Sequence, residues 1–99
     1  MTYMNNIRFQ WDESKNIANI KKHNISFEEA KSVFFDENAR VITDPEHSIN
    51  EERFIILGLS FKLNLLVVAH TYKENDEVIR IISARKATKS ESKYYQEVK

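Results

Sequence analysis

The chain has 99 residues and is formally neutral, with 15 basic and 15 acidic side chains. It contains no cysteine, one glycine and one proline, which excludes disulfides, thiolate nucleophiles, zinc knuckles, glycine-rich phosphate loops and long flexible linkers. No apolar run nears the roughly 20 residues of a membrane span, and residues 1–6 lack the features of a signal peptide; the expectation is one cytoplasmic domain covering 1–99.

Ile7-Arg8-Phe9-Gln10-Trp11 alternates and predicts a short edge strand. Asp12 is a suitable N-cap for a helix running to about His23. That helix has one narrow apolar stripe, Ile17, Ala18 and Ile20, and ends on Lys21, Lys22 and His23, whose charges suit the negative end of the helix dipole. Asn24 tolerates the left-handed conformation that stops a helix. Ser26-Phe27-Glu28-Glu29 is a capping box. It opens a second helix with Phe27, Ala30 and Phe34 on its core side, completing an N-terminal helical hairpin.

Ala39 to Thr43 predicts a strand, and Asp44 to Asn50 a loop. Three longer strands follow: Arg53 to Ser60, Leu63 to Tyr72 and Val78 to Lys86. The connections Phe61-Lys62 and Lys73 to Glu77 are short enough for hairpins, so the expected sheet is an antiparallel meander. Thr88-Lys89-Ser90-Glu91 is another capping box, opening a final helix with Tyr94, Tyr95 and Val98. The order β-α-α-β-β-β-β-α makes this an α+β domain.

Charge is unevenly placed. From Ile79 onward there are six basic side chains (Arg80, Arg85, Lys86, Lys89, Lys93, Lys99) against Glu91 and Glu97, while the preceding residues carry a compensating acidic excess. A cationic end suggests a phosphate-bearing ligand. Arginine inside an apolar strand is costly unless it is paired, so Arg80 and Arg85 either hold carboxylates or wait for an anion. Strict alternation puts Leu66, Val68, His70 and Tyr72 on one face. It also places Arg80 and Arg85 on opposite faces of their strand, so they share a face only through a bulge or a reoriented strand end.

Phe9-x-Trp11-Asp12, Lys22-His23, Phe27-Glu28-Glu29-Ala30, Glu52-Arg53 and the long run Arg80-Ile81-Ile82-Ser83-Ala84-Arg85-Lys86-Ala87-Thr88, with Glu91 and Tyr94, resemble the BrnT-type toxins of bacterial type II toxin–antitoxin modules. The resemblance extends from Phe9 to Tyr95. Two departures are visible: Asn24 where the family has glycine, and Lys86 where arginine is common. The resemblance implies a RelE-like fold and a metal-independent endoribonuclease, without cofactor, that blocks translation. It further implies a cognate antitoxin, usually of the ribbon-helix-helix type, through which DNA is met indirectly.

For such chemistry Arg80 and Arg85 are the expected phosphate clamps, because the guanidinium fork meets two phosphate oxygens at once. Arg53 is a candidate second contact or a partner of its acidic neighbours. His70 has the titration range of a proton shuttle, although a strand histidine also serves as a satisfied core residue. Lys86 and Tyr94 are candidate RNA-binding residues, by charge and by stacking. His23 suits the helix end, and His47 lies in an acidic loop; the three histidines lack metal-ligand spacing. The competing reading is a non-catalytic module whose basic face holds an acidic partner or acts as corepressor in a DNA-bound complex.

Overall fold

A computed structural model describes residues 7–43 and 52–97. Its elements follow the expected order: β1 (Arg8–Gln10), α1 (Glu13–His23), α2 (Phe27–Ser32), β2 (Arg40–Thr43), β3 (Phe54–Leu59), β4 (Leu65–Lys73), β5 (Val78–Lys86) and α3 (Lys89–Glu97). A 3₁₀ turn, Val33–Phe35, extends α2. The five strands form one sheet in the order β1-β5-β4-β3-β2. β2 to β5 pair antiparallel. The expected antiparallel meander is present, and β1, whose direction the sequence left open, joins it parallel to β5, so the whole sheet is mixed; α1, α2 and three strands separate these two in sequence, which leaves room for a crossover.

Local chemistry sets the helix ends. The Asp12 carboxylate accepts the Ser14 backbone N–H at 2.9 Å, and Asn24 closes α1 at φ 60° with its N–H on the Ile20 carbonyl. Ser26 Oγ accepts the Glu29 N–H at 3.0 Å. The expected capping box is only half made here. The Glu29 carboxylate is buried and accepts instead from Ser60 Oγ and Asn64 Nδ2, both at 2.7 Å. One oxygen of its carboxyl group is thus satisfied by the β3–β4 turn, which the contact pins to α2. That turn includes Leu63 at φ 64°, a left-handed residue that cannot begin a strand, so β4 starts at Leu65.

The main core lies between α1–α2 and one face of the sheet: Ile25, Phe27, Ala30 and Val33 pack on Ile56, Leu66, Val68, Ile81 and Ala84. Full burial of a side chain such as Phe27 contributes about 1.5–3 kcal/mol. Gly58 permits the close approach of the 3₁₀ turn, since a Cβ there would sit 2.8 Å from Val33 Cγ1. The expected stripe of α1 is corrected: Ile17 and Ile20 are exposed, and the buried residue of the helix is Asn19. Its Nδ2 donates to the carbonyls of Ile25 (2.9 Å) and Ala84 (2.8 Å), and its Oδ1 accepts the Ala84 N–H. The helix docks by pairing backbone, a role that apolar periodicity does not register. On the other face of the sheet α3 covers a smaller cluster, Tyr95 with Leu57 and Val67. The Tyr95 hydroxyl donates to Asp36 at 2.6 Å.

A candidate phosphate-binding face

The α3 side of the sheet holds the arginines, and a bulge puts them there. Along β4 and β5 the register runs Val67↔Arg85, Val68↔Ala84 and Ala69↔Ser83, then jumps to His70↔Ile81 and Thr71↔Arg80. Ile82 is the extra residue. Ile81 and Ala84, three positions apart, therefore both enter the main core. Arg80, Ser83 and Arg85 are left together on the opposite face. Strict alternation is overturned at this point. The partners of the two arginines, Val67 and Thr71, are four positions apart along β4, a distance of roughly 13 Å. Between them lie Ala69 and the exposed Ser83, a low floor.

The two arginines differ in state. Arg85 is engaged by both carboxylate oxygens of Glu91, at 2.9 and 3.0 Å. Glu91 also closes the capping box of α3: it accepts the Thr88 N–H at 2.8 Å while Thr88 Oγ1 accepts the Glu91 N–H. The Arg85 hydrogen bonds hold the Glu91 carboxyl down at about 2, and Glu91 in turn raises the Arg85 pKa. Arg80 is half-buried, and its side chain makes no hydrogen bond or ion pair among the described residues. Arg53 is half-buried one position before β3. Continuing the β3 alternation back from Phe54↔His70 brings it beside Thr71, on the arginine face.

His70 is not part of this constellation. It is fully buried on the opposite, helix-facing side. Its Nδ1–H donates to the Val68 carbonyl at 3.1 Å, and Nε2 accepts the Tyr72 hydroxyl at 3.2 Å. The Phe34 and Phe54 rings pack against it, with centroids 4.8 and 6.1 Å away. Burial pushes its pKa down to about 4, so the neutral ring is the resting form. Lys86 ends β5 exposed, paired with Leu66 and so at the parity of the helix side. Tyr94 is 47% exposed. With Ile42, Ile55, Val67, Ser90 and Glu91 it lines a largely apolar cavity of about 190 Å³ on the arginine face.

His23 is half-buried at the end of α1. His47, the loop around it and Val98 lie outside the described residues. Among the described residues no three His, Cys, Asp or Glu side chains gather into a metal-holding group, and no helix is long and apolar enough to cross a membrane. Sequence reasoning missed two features of the face. Glu91 read as a cap also clamps Arg85; the six-residue spacing across a strand end was its only signal. Thr71, buried at the centre of the arginine face, was signalled only by being polar within an apolar strand.

Residues 11–91 match the protein family described as the ribonuclease toxin, BrnT, of type II toxin–antitoxin systems. No curated protein matches the sequence. Among solved structures, the 1.1 Å crystal structure of the Brucella abortus ribonuclease toxin BrnT is similar, with a TM-score of 0.64 and 24% identity. The match covers 84% of this chain and 99% of that one, and it shows a shared fold. The family match spans most of the chain, including the bulged strand, Arg85 and Glu91. The chain therefore belongs to the BrnT family of ribonuclease toxins of type II toxin–antitoxin systems.

Proposed function

We propose that this toxin is a RelE-like, metal-independent endoribonuclease that inhibits translation by cutting RNA on its arginine face. The bulge at Ile82 carries the reading, because it brings Arg80 and Arg85 to one face of the sheet. In the proposed step the RNA 2′ oxygen attacks the adjacent phosphorus. The 2′O–P bond forms and the P–5′O bond breaks. Water receives the 2′ proton and returns one to the leaving 5′ oxygen. The products are a 2′,3′-cyclic phosphate and a 5′-hydroxyl. Arg80, with Arg85 and Arg53, stabilises the charge gathering on the phosphate oxygens, a contribution of ~10²–10³ in rate for one well-aimed donor. Tyr94 offers a stacking surface for a base at the mouth of the apolar cavity, and Lys86 adds positive charge at the rim.

A type II toxin is paired with an antitoxin; here we propose a ribbon-helix-helix protein that covers the same donors with its carboxylates and alone contacts DNA. The Arg85–Glu91 pair supports this, since it is a bidentate carboxylate complex already formed within the chain. The test is cleavage by purified toxin freed of antitoxin, in excess chelator, with analysis of the RNA ends. Cutting that persists and leaves cyclic or 3′-phosphate ends is expected. Loss of cutting in chelator, restored by a divalent ion, refutes the arginine mechanism.

A further inference from the structure

Thr71 stands in the second half of β4, 1% exposed, and its Oγ1 is buried with no hydrogen-bond partner among the described residues. A buried hydroxyl without a partner works against folding. Valine has the same branched shape, suits a strand equally and lacks that penalty. The fold by itself gives no reason for an oxygen here.

The neighbourhood supplies one. Thr71 is the cross-strand partner of Arg80 on the arginine face. Directly opposed side chains on a sheet have Cβ atoms roughly 5 Å apart. Arg80 also lacks a partner among the described residues. Two donors, a hydroxyl and a guanidinium, therefore sit unsatisfied on one rung. The next rung, Ala69 and Ser83, carries only small side chains. Arg85, two rungs further on, already holds Glu91. Of the two strand arginines, Arg80 is thus the one ready to take an anion, and the hydroxyl beside it completes a two-donor site for an anion with several acceptor oxygens.

We propose that the Thr71–Arg80 rung is the scissile-phosphate subsite and that Thr71 Oγ1 donates a hydrogen bond to a non-bridging phosphate oxygen of the bound RNA. This deepens the ribonuclease reading and rests on it. Because Thr71 Oγ1 is buried in the free protein, the proposed contact requires the side chains over this rung to move aside on binding. No bond is made or broken at Thr71; its contact strengthens as negative charge builds on the phosphate oxygens. The position lies in a central strand, so the donor is held without a mobile loop.

The test compares wild type, Thr71→Val and Thr71→Ser on a pool of short single-stranded RNAs of randomised sequence, under single-turnover conditions. Thermal melts of each free protein run alongside. Thr71→Val is expected to melt at or above the wild-type temperature while cleavage falls at least about tenfold, the loss of one hydrogen bond to a charged group. Thr71→Ser is expected to recover most of the rate. Thr71→Val that cuts at the wild-type rate overturns the inference and leaves the ribonuclease reading intact. Thr71→Val that melts lower also overturns it, because the hydroxyl then has a structural partner. Wild-type protein that leaves the RNA whole refutes the ribonuclease reading itself, and the subsite with it.

Discussion

Acidification should weaken the fold through His70, by an amount that follows from its surroundings. The ring is fully buried among Phe34, Phe54 and Tyr72, with Nδ1–H on a carbonyl and Nε2 on a hydroxyl. Burial lowers its folded pKa from 6.5 to about 4, outweighing the Val68 hydrogen bond, which acts in the opposite direction. The unfolded chain takes up this proton near pH 6.5; the native one resists until about pH 4. Within that window the unfolded state binds more protons, so stability rises with pH and is lost as pH falls. Each unit contributes about 1.4 kcal/mol, which makes roughly 2 kcal/mol between pH 6.5 and 5. Against a typical domain stability of about 5–15 kcal/mol, that is a large share. Urea unfolding of wild type and His70→Gln across this range isolates the effect, because groups common to both cancel in the difference. A flat difference would refute the burial argument, as would a ring titrating near 6.5 by NMR. The pH profile of RNA cleavage by folded His70→Gln should match wild type near neutrality; a flattened profile would return His70 to the reaction.

Two further outcomes follow from the pairs around β5. Arg85→Ala frees a Glu91 carboxylate whose side chain is 32% exposed and so remains hydrated; the cost should be near 1 kcal/mol rather than the ~3–5 of a buried pair. Melting should drop by roughly 4–8 °C and cleavage should fall sharply, with Arg85→Lys a partial rescue because the fork is lost; an Arg85→Ala protein that cuts RNA normally refutes the role. Asn19→Ala removes three buried hydrogen bonds and leaves Ala84 N–H and two carbonyls unpaired, so denaturant unfolding should show a loss of about 3 kcal/mol. A loss under 1 kcal/mol would mean that water replaces the amide.

The element order, most of the capping residues and the position of Arg85 at the junction of β5 and α3 were legible because each depends on local chemistry. Asp12, Asn24 and Thr88–Glu91 act within one turn of themselves. The face of α1 was not legible: its apolar residues Ile17 and Ile20 point outward, and its anchor is an asparagine. The half-made box at Ser26 failed for a similar reason, since the Glu29 carboxylate is recruited by residues 31 and 35 positions away. The convergence of the arginines was hidden as well. Nothing in Ile81-Ile82-Ser83 separates a bulge from regular strand; the slip is set by which residues of β5 meet the core and which backbone groups find partners.

Those partners explain why the bulge holds. β1 pairs with β5 only along Val78 to Arg80, so the same edge of β5 is open beyond that point. An open edge carries unpaired N–H and C=O groups. At Ala84 both are met by the Asn19 side chain, whose amide offers one acceptor and two donors and so imitates a neighbouring strand. With Ala84 fixed from the side and Ile81 fixed in the core, Ile82 is the residue left to absorb the mismatch. At the strand's end Glu91 binds Arg85 and the first turn of α3 together. The segment from Arg80 to Arg85 is thus held at Ala84 and Arg85 by side chains from two helices on opposite faces of the sheet. Arg80 keeps its charge unpaired within that frame. On the proposed reading, an anion arriving at this rung gains interaction without first displacing a carboxylate, whereas at Arg85 it must compete with Glu91. The order of engagement we propose along the face, Arg80 before Arg85, follows from that difference.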